Sequence, residues 1–357
     1  PGSRILSECP PLTRFSMVLR RSRMRSRLSD QMRTLSAEIE IYPLQRLFTI
    51  SRGSKSETIV VTAAISDGSH TGRGECGPNA RYDETPASVL AQIESLGPDI
   101  AAGMSRAQLQ DALPPGAARN ALDCALWDYD AKQMNTPVWE QAGLSAPAPL
   151  QTAFTLSADS PDAMARDAVT QAARPLLKLK LTGDNDLARV QAVHAAAPNA
   201  RLIVDANEAW TETSYRALVP AFEALGVVLI EQPLPAGSDD AMTRLPRPIP
   251  VCADEAFRDS SSIETLAGKY DVVNIKLDKT GGLTAALSSA AAARDAGFDV
   301  MVGCMVGTSL AMAPAFLVAQ TARFVDLDGP LLLARDRAFP LEADGSILMP
   351  PARELWG

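Results

Sequence analysis

The sequence predicts an α/β protein in which a TIM-type barrel of parallel strands follows a smaller α+β domain. Three observations carry this. From about residue 150, short apolar runs alternate with alanine-rich helical stretches, and the runs end in polar residues at positions 155, 180, 205, 231, 254, 276, 304 and 326. The spacing between those positions is 22 to 28 residues, the length of one strand–helix unit, repeated until eight strands are counted. No GxGxxG follows any of these strands, and a doubly wound open sheet would more usually stop at five or six.

Taken in order, residues 1–31 stand apart. Up to Arg33 the chain carries eight arginines against Glu8 and Asp30, so this segment is +6 and the remainder of the −8 chain is −14. It is also rich in serine and lacks periodicity, so it is excluded from the fold as a disordered basic extension. An upstream extension with translation starting near Met32 is favoured over a targeting peptide. Residues 32–145 form the α+β domain, with strands at 35–50, 57–66 and 72–76 and helices from 85 onward. Within it, AARNALDCALWDYDAKQM (117–134) has the apolar spacing of an amphipathic helix. The barrel spans 146–335, and the tail 336–357 returns to the first domain.

The barrel runs are LQTAFTL (150–156), LLKLKL (176–181), RLIVDANE (201–208), VVLIEQP (227–233), PVCADE (250–255), VVNIKL (272–277), DVMVGCM (299–305) and FVDLDG (324–329). The 23 uncharged residues between Asp299 and Arg323 are long enough to cross a bilayer, but Gly303, Gly307 and Pro314 divide them into a strand, a turn and a helix. A membrane partner is therefore not expected. Nor is nucleic acid, which needs a basic surface. The five cysteines are scattered, odd in number and without a CxxC pair, as in reduced thiols of a cytoplasmic protein.

Active sites of such barrels lie at the C-terminal ends of the strands, where the polar residues fall here. Strands three, four and five end in Asp205, Glu231 and Asp254. Three adjacent carboxylates repel unless a cation holds them, and hard oxygen donors of this kind suit Mg²⁺. Any one could be an ordinary strand-end acid; three in successive units favour the metal. Strand two contributes Lys178 and Lys180 on one face, and strand six contributes Lys276, diametrically opposite in a ring of eight. The chain has only two histidines, His70 and His194, neither at a barrel strand end, so acid–base work falls to lysines. Asp326 and Asp328 make a negative pair suited to a substrate ammonium group.

The motifs KLK, DANE, EQPLP, ADE, NIKLDKTGGL and DLDGP together resemble the enolase superfamily, in its muconate-lactonising subgroup. The resemblance is nearest to the L-Ala-D/L-Glu (dipeptide) epimerases, narrowed by the DLD motif after strand eight. It covers about residues 32–340 and includes ISRGSKSE, GECGPNARYDE and GAARNALDCALWD of the first domain. It implies a modified (β/α)7β barrel under an α+β capping domain, with Mg²⁺ on Asp205, Glu231 and Asp254. It implies Lys180 and Lys276 as the acid–base pair, with Lys178 keeping Lys180 less basic and helping to hold the substrate carboxylate.

The resemblance further implies that Thr155 and Cys304 contact substrate, that Asp326 and Asp328 hold the dipeptide's α-ammonium, and that the loop carrying Arg52 and Lys55 meets an acidic side chain. Lys55 stands where close relatives carry arginine, and lysine lacks the bidentate fork. The implied reaction is epimerisation at the α-carbon of the C-terminal residue of L-Ala-Glu-type dipeptides, by two-base proton transfer through an enediolate. The handling of an enediolate by a lysine with Mg²⁺ is general to such sites. A murein-derived dipeptide would place the protein in peptidoglycan recycling, and relatives often assemble as homo-oligomers through barrel surfaces. Alternatives through the same intermediate are a cycloisomerase or an o-succinylbenzoate synthase, whose products lack the positive charge that Asp326 and Asp328 would meet. An epimerase of non-acidic dipeptides and a peptide-binding scaffold are the others.

Overall fold

The computed structural model describes residues 32–357; the basic extension and Cys9 lie outside the described residues. The first domain opens with an antiparallel meander, β1 (Thr34–Ile50), β2 (Gly53–Ser66) and β3 (Thr71–Cys76), in the order β1-β2-β3. The second strand starts earlier than its apolar run, because Ser54 and Lys55 pair with Thr49 and Phe48 and so extend the hairpin. Helices follow: α1 (Pro86–Ser95) and α2 (Arg106–Ala112), each begun by a capping box, from Thr85 with Ser88 and from Ser105 with Gln108.

Helix α3 (Ala117–Met134) runs over the residues its periodicity marks, yet it is buried on almost every side. Ala121, Leu122, Ala125 and Tyr129 enter the core beneath the meander, while Cys124, Trp127 and Ala131 join the core of the barrel. The helix is thus the wall shared by both halves.

The barrel strands are β4 (Phe154–Leu156), β5 (Leu176–Lys180), β6 (Arg201–Asp205), β7 (Val227–Glu231), β8 (Val251–Ala253), β9 (Val272–Ile275), β10 (Asp299–Gly303) and β11 (Phe324–Asp326). They form one eight-stranded sheet in sequence order, all paired parallel. Ala153 N donates to Val325 O at 2.8 Å, and Leu327 N to Thr152 Oγ1 at 2.9 Å, which joins the two outer strands and closes the ring.

Most strands end sooner than their apolar runs, because the polar motif that follows turns away from the sheet. The run LQTAFTL is also divided. Leu150–Gln151 pairs with Ile347–Leu348 in a separate small sheet, and only Phe154–Leu156 enters the barrel. The long uncharged stretch resolves into β10 and helix α4 (Ser309–Ala319). Among the described residues no helix is long and apolar enough to cross a membrane.

Candidate active site

The interior of the barrel is built in layers, and strand alternation decides what each contains. One residue per strand makes a dry layer: Ala153, Leu176, Ile203, Leu229, Cys252, Val272, Met301 and Phe324. Two residues further along each strand, the same face carries Thr155, Lys178, Asp205, Glu231, Asp254, Asn274, Gly303 and Asp326. The apolar floor and the polar layer above it are therefore one pattern displaced by a pleat. Gly303 leaves room for the Asn274 amide, since a Cβ there would lie 2.7 Å from Asn274 Oδ1.

Lys178 is fully buried at the centre of this layer. Its Nζ lies 2.7 Å from Asp326 Oδ2, 2.6 Å from Glu231 Oε2 and 3.3 Å from Asp205 Oδ2. Burial alone would lower its pKa, but the surrounding carboxylates, Asp326 foremost, hold it well above the ordinary lysine value. Asp326 is thus not remote from strands three and four, as its place on the ring suggests; one ammonium spans the barrel and joins them.

Lys180 Nζ donates to Asp205 Oδ2 at 2.6 Å, and Lys276 Nζ to Asp254 Oδ2 at 2.7 Å. The two lysines reach one cleft of about 490 Å³ from strands two and six, half a turn of the ring apart. Burial lowers the Lys276 pKa and the charges of Asp254 and Glu231 raise it, with a net rise. Glu231 is pushed up to about 7, by burial first and then by Asp205. Asp205 is lowered despite burial, through Lys180 and Lys178.

Several buried acceptors in and around the polar layer have no hydrogen-bond donor: Glu231 Oε2, Asp326 Oδ1, Asn207 Oδ1 and Glu255 Oε2. Lys178 approaches Glu231 Oε2 as a charge, without hydrogen-bonding alignment. Among the described residues, no three acidic, histidine or cysteine side chains already converge as a ligand cluster. Lysine ammonium groups stand against Asp205, Glu231 and Asp254 instead. The donor set of all-oxygen acids with unpaired acceptors nevertheless suits a hard divalent cation such as Mg²⁺.

On the far side, Asp328 Oδ2 accepts from Thr155 N at 2.6 Å. Burial and the neighbouring Asp326 push Asp328 up to about 7. Cys304 follows strand seven and lines the cleft, its thiol raised by burial and by Asp326 and Asp328. The first domain closes the cleft from above with residues 48–59 and 77–82. Lys55 lines it, and burial of its ammonium lowers its pKa although much of the residue is exposed. Arg52 instead grips the protein's own acids: Nη2 reaches Glu255 Oε1 at 2.8 Å and Nη1 reaches Glu208 Oε2 at 3.2 Å.

Sequence reasoning missed three supports. Lys279, fully buried, donates to Asp254 Oδ1 at 2.7 Å and Asp254 O at 2.6 Å, fixing one side of that carboxylate. Asn274 donates to Glu231 Oε1 at 2.8 Å. Gln232, at φ 34°, accepts from Asp254 N and Ala256 N. Asn274 was legible as the inward residue two before Lys276; the others depend on turns that follow the strands.

An eight-stranded barrel with opposed lysines over a carboxylate layer, roofed by a meander-and-helix domain, defines a class of protein, and the comparisons agree. Residues 162–340 match the family described as Enolase C-terminal domain-like, and residues 34–143 match the Mandelate racemase / muconate lactonizing enzyme N-terminal domain. The chain belongs to the enolase superfamily.

An L-Ala-D/L-Glu epimerase of Escherichia coli is 46% identical over 85% of this chain and 96% of that protein. An N-acetyl-D-glutamate racemase of a Pseudoalteromonas species is 47% identical over 84% of this chain and 95% of its own length. Among solved structures, an Agrobacterium tumefaciens enolase family member with homology to dipeptide epimerases, holding sodium and L-Ala-L-Glu, superposes with a TM-score of 0.90. It is 50% identical and covers 91% of this chain and 100% of its own. A dipeptide epimerase of Enterococcus faecalis, complexed with Mg and L-Leu-L-Tyr, has a TM-score of 0.84 at 26% identity, covering 90% of this chain and 98% of its own.

Proposed function

We propose that the protein is a Mg²⁺-dependent dipeptide epimerase, which inverts the α-carbon of the C-terminal residue of L-Ala-Glu-type dipeptides. The observation that carries the reading is the placement of Lys180 and Lys276 at one cleft from opposite sides of the barrel. A proton can leave one face of a carbon held between them, and another can return to the opposite face.

Asp205, Glu231 and Asp254 would hold the cation. When bound, it supplies positive charge to the substrate's C-terminal carboxylate and so makes the α-proton acidic enough to remove. Lys180 and Lys276 move the proton, each released from the carboxylate it now contacts. Lys178 stays in the polar layer as a fixed positive charge beside Lys180. Asp326 and Asp328, which are buried behind Cys304 and do not themselves line the cleft, would receive the α-ammonium, with the unpaired Asp326 Oδ1 as its acceptor. Thr155 fixes Asp328 through its N–H, and Cys304 forms part of the wall. Lys55 faces the acidic side chain, and Arg52 acts through the loop rather than on the ligand. A murein-derived Ala-Glu would make the enzyme a cytoplasmic step in peptidoglycan recycling.

The test is incubation with L-Ala-L-Glu and Mg²⁺ in D₂O. Deuterium enters the Glu α-carbon as the D epimer forms. Absence of exchange across a panel of dipeptides sinks the epimerase reading. Faster exchange with N-acetyl-L-glutamate than with any dipeptide would refute the ammonium role of Asp326 and Asp328, since that compound has no ammonium.

A further inference from the structure

Glu255 and Asn207 are polar residues at the mouth of the site that the chemistry above leaves unused. They are 9% and 5% exposed. Each follows a carboxylate proposed to hold the cation: Asn207 is two residues beyond Asp205, and Glu255 is next to Asp254. Asn207 N also donates to Asp205 Oδ1 at 3.0 Å. The two side chains meet, Asn207 Nδ2 to Glu255 Oε1 at 3.4 Å, and each keeps one buried oxygen with no donor, Asn207 Oδ1 and Glu255 Oε2.

Their other contacts run to the capping domain. Glu255 Oε1 accepts from Arg52 Nη2 at 2.8 Å. The Asn207 carbonyl accepts from Ser51 Oγ at 2.9 Å and from Arg52 Nη1 at 3.2 Å. That carbonyl is presented by a left-handed turn, with Asn207 at φ 43° and Glu208 at φ 69°. Asparagine tolerates this conformation; glutamate does so at a cost that its surroundings must hold. Here the Glu208 carboxylate is held by Arg81 from the second capping loop, at 2.9 and 3.1 Å, and by Ala236 N at 2.8 Å.

We propose that Glu255, with Asn207, is a positioning pair that carries occupancy of the cation site to the capping loop through Arg52. The inference rests on the reading that Asp205, Glu231 and Asp254 bind a divalent cation. Mg²⁺ dehydrates reluctantly and keeps several waters, whose hydrogens need acceptors. The two unpaired oxygens border the proposed ligands and supply such acceptors, forming the outer shell of the site. Once Glu255 Oε2 is engaged, its Oε1 is fixed toward Arg52, and the loop that lines the substrate cleft is seated. Glu255→Gln keeps the shape but not the pattern, since an amide has one acceptor and one donor face. It satisfies either Arg52 or the hydrated cation, never both.

The experiment measures Mg²⁺ binding by calorimetry and backbone amide exchange over residues 50–57, with and without MgCl₂ and without dipeptide, for the wild type, Glu255→Gln and Arg52→Met. In the wild type Mg²⁺ binds and slows exchange in the loop. Glu255→Gln binds Mg²⁺ about 10-fold more weakly and shows no slowing at saturating Mg²⁺. Arg52→Met retains wild-type affinity within about twofold, but its loop exchange does not respond to Mg²⁺. A wild type that binds no divalent cation overturns the functional reading together with the inference. Wild-type binding with unchanged affinity and unchanged slowing in Glu255→Gln overturns the inference alone, and assigns those oxygens to substrate instead. If Glu255→Gln does not fold, Arg52→Met decides: slowing equal to wild type refutes the relay.

Discussion

Lys178 ties the polar layer of the barrel together. Its ammonium is the central cation among three buried carboxylates, and no aliphatic side chain replaces that charge. Lys178→Met therefore leaves Asp205, Glu231 and Asp326 short of positive charge in a low-dielectric interior. Removing one partner of a buried ionic group typically costs about 3–5 kcal/mol, so a loss of that size is expected in denaturant unfolding. Stability within about 1 kcal/mol of wild type would mean that the carboxylates relax toward other donors. Lys276→Ala has a different signature, because Lys180 remains. Conversion between epimers should fall by about 10²-fold or more, while the α-proton of one stereoisomer still exchanges in D₂O. Exchange from both isomers at the wild-type rate would break the two-lysine assignment. The inward direction of both lysines could be read from alternation alone. The partners of Lys178 could not, because the contact with Asp326 reaches past strand one to strand eight, between residues 148 positions apart in sequence.

At the level of elements, strand β3 and helix α3 meet without side chains between them. A Cβ on Gly74 would lie 2.1 Å from Ala121 O, and one on Gly72 2.2 Å from Ala125 O. The alternating glycines of TGRGEC form the face on which α3 lies. Gly74→Ala must move the helix backbone, and overpacking of this kind costs about 1–3 kcal/mol or more. The same helix carries Asn120, which donates to Asp278 two residues beyond Lys276 at 2.8 Å. The substitution should thus lower melting temperature and slow turnover together; a silent Gly74→Ala would show that the two elements separate freely. Elements were legible where local pattern decides them. Helix α3 and the strand repeat follow from periodicity, and the small-residue face of β3 is plain in its letters. The length of each strand was not, since the left-handed turns at Asn207, Glu208 and Gln232 are stabilised by residues from other loops.

Across the whole molecule, the capping domain is tied to the barrel by buried polar groups as well as by apolar packing. Arg337, in the chain beyond the barrel, contacts Glu75 of β3 at 2.7 Å and also meets Glu40 of β1. Glu75 in turn accepts from Thr308 N at 2.8 Å, just before helix α4. A second tie has a pH dependence. Asp123 of α3 accepts from Thr284 N at 2.9 Å, Thr284 Oγ1 at 2.7 Å and Gln110 Nε2 at 3.0 Å, joining the capping helix to the barrel.

Burial pushes the Asp123 pKa from the ordinary 3.8 up to about 6, against the lowering effect of those bonds. The folded state then holds this proton more tightly than the unfolded chain does. The associated stability is present below the unfolded pKa and is lost as pH rises through the folded one, between about 4 and 6. At roughly 1.4 kcal/mol per pKa unit, the change amounts to about 3 kcal/mol, an order-of-magnitude figure. Asp123→Asn carries no such proton; its amide oxygen can still accept from Thr284 N, while the bond from Gln110 Nε2 is lost equally at every pH. Its stability relative to wild type should therefore improve by up to about 3 kcal/mol from pH 4 to pH 7, followed by urea unfolding at each pH. A difference that stays constant over that range would show that Asp123 titrates at its ordinary value and that burial at the domain junction does not hold its proton.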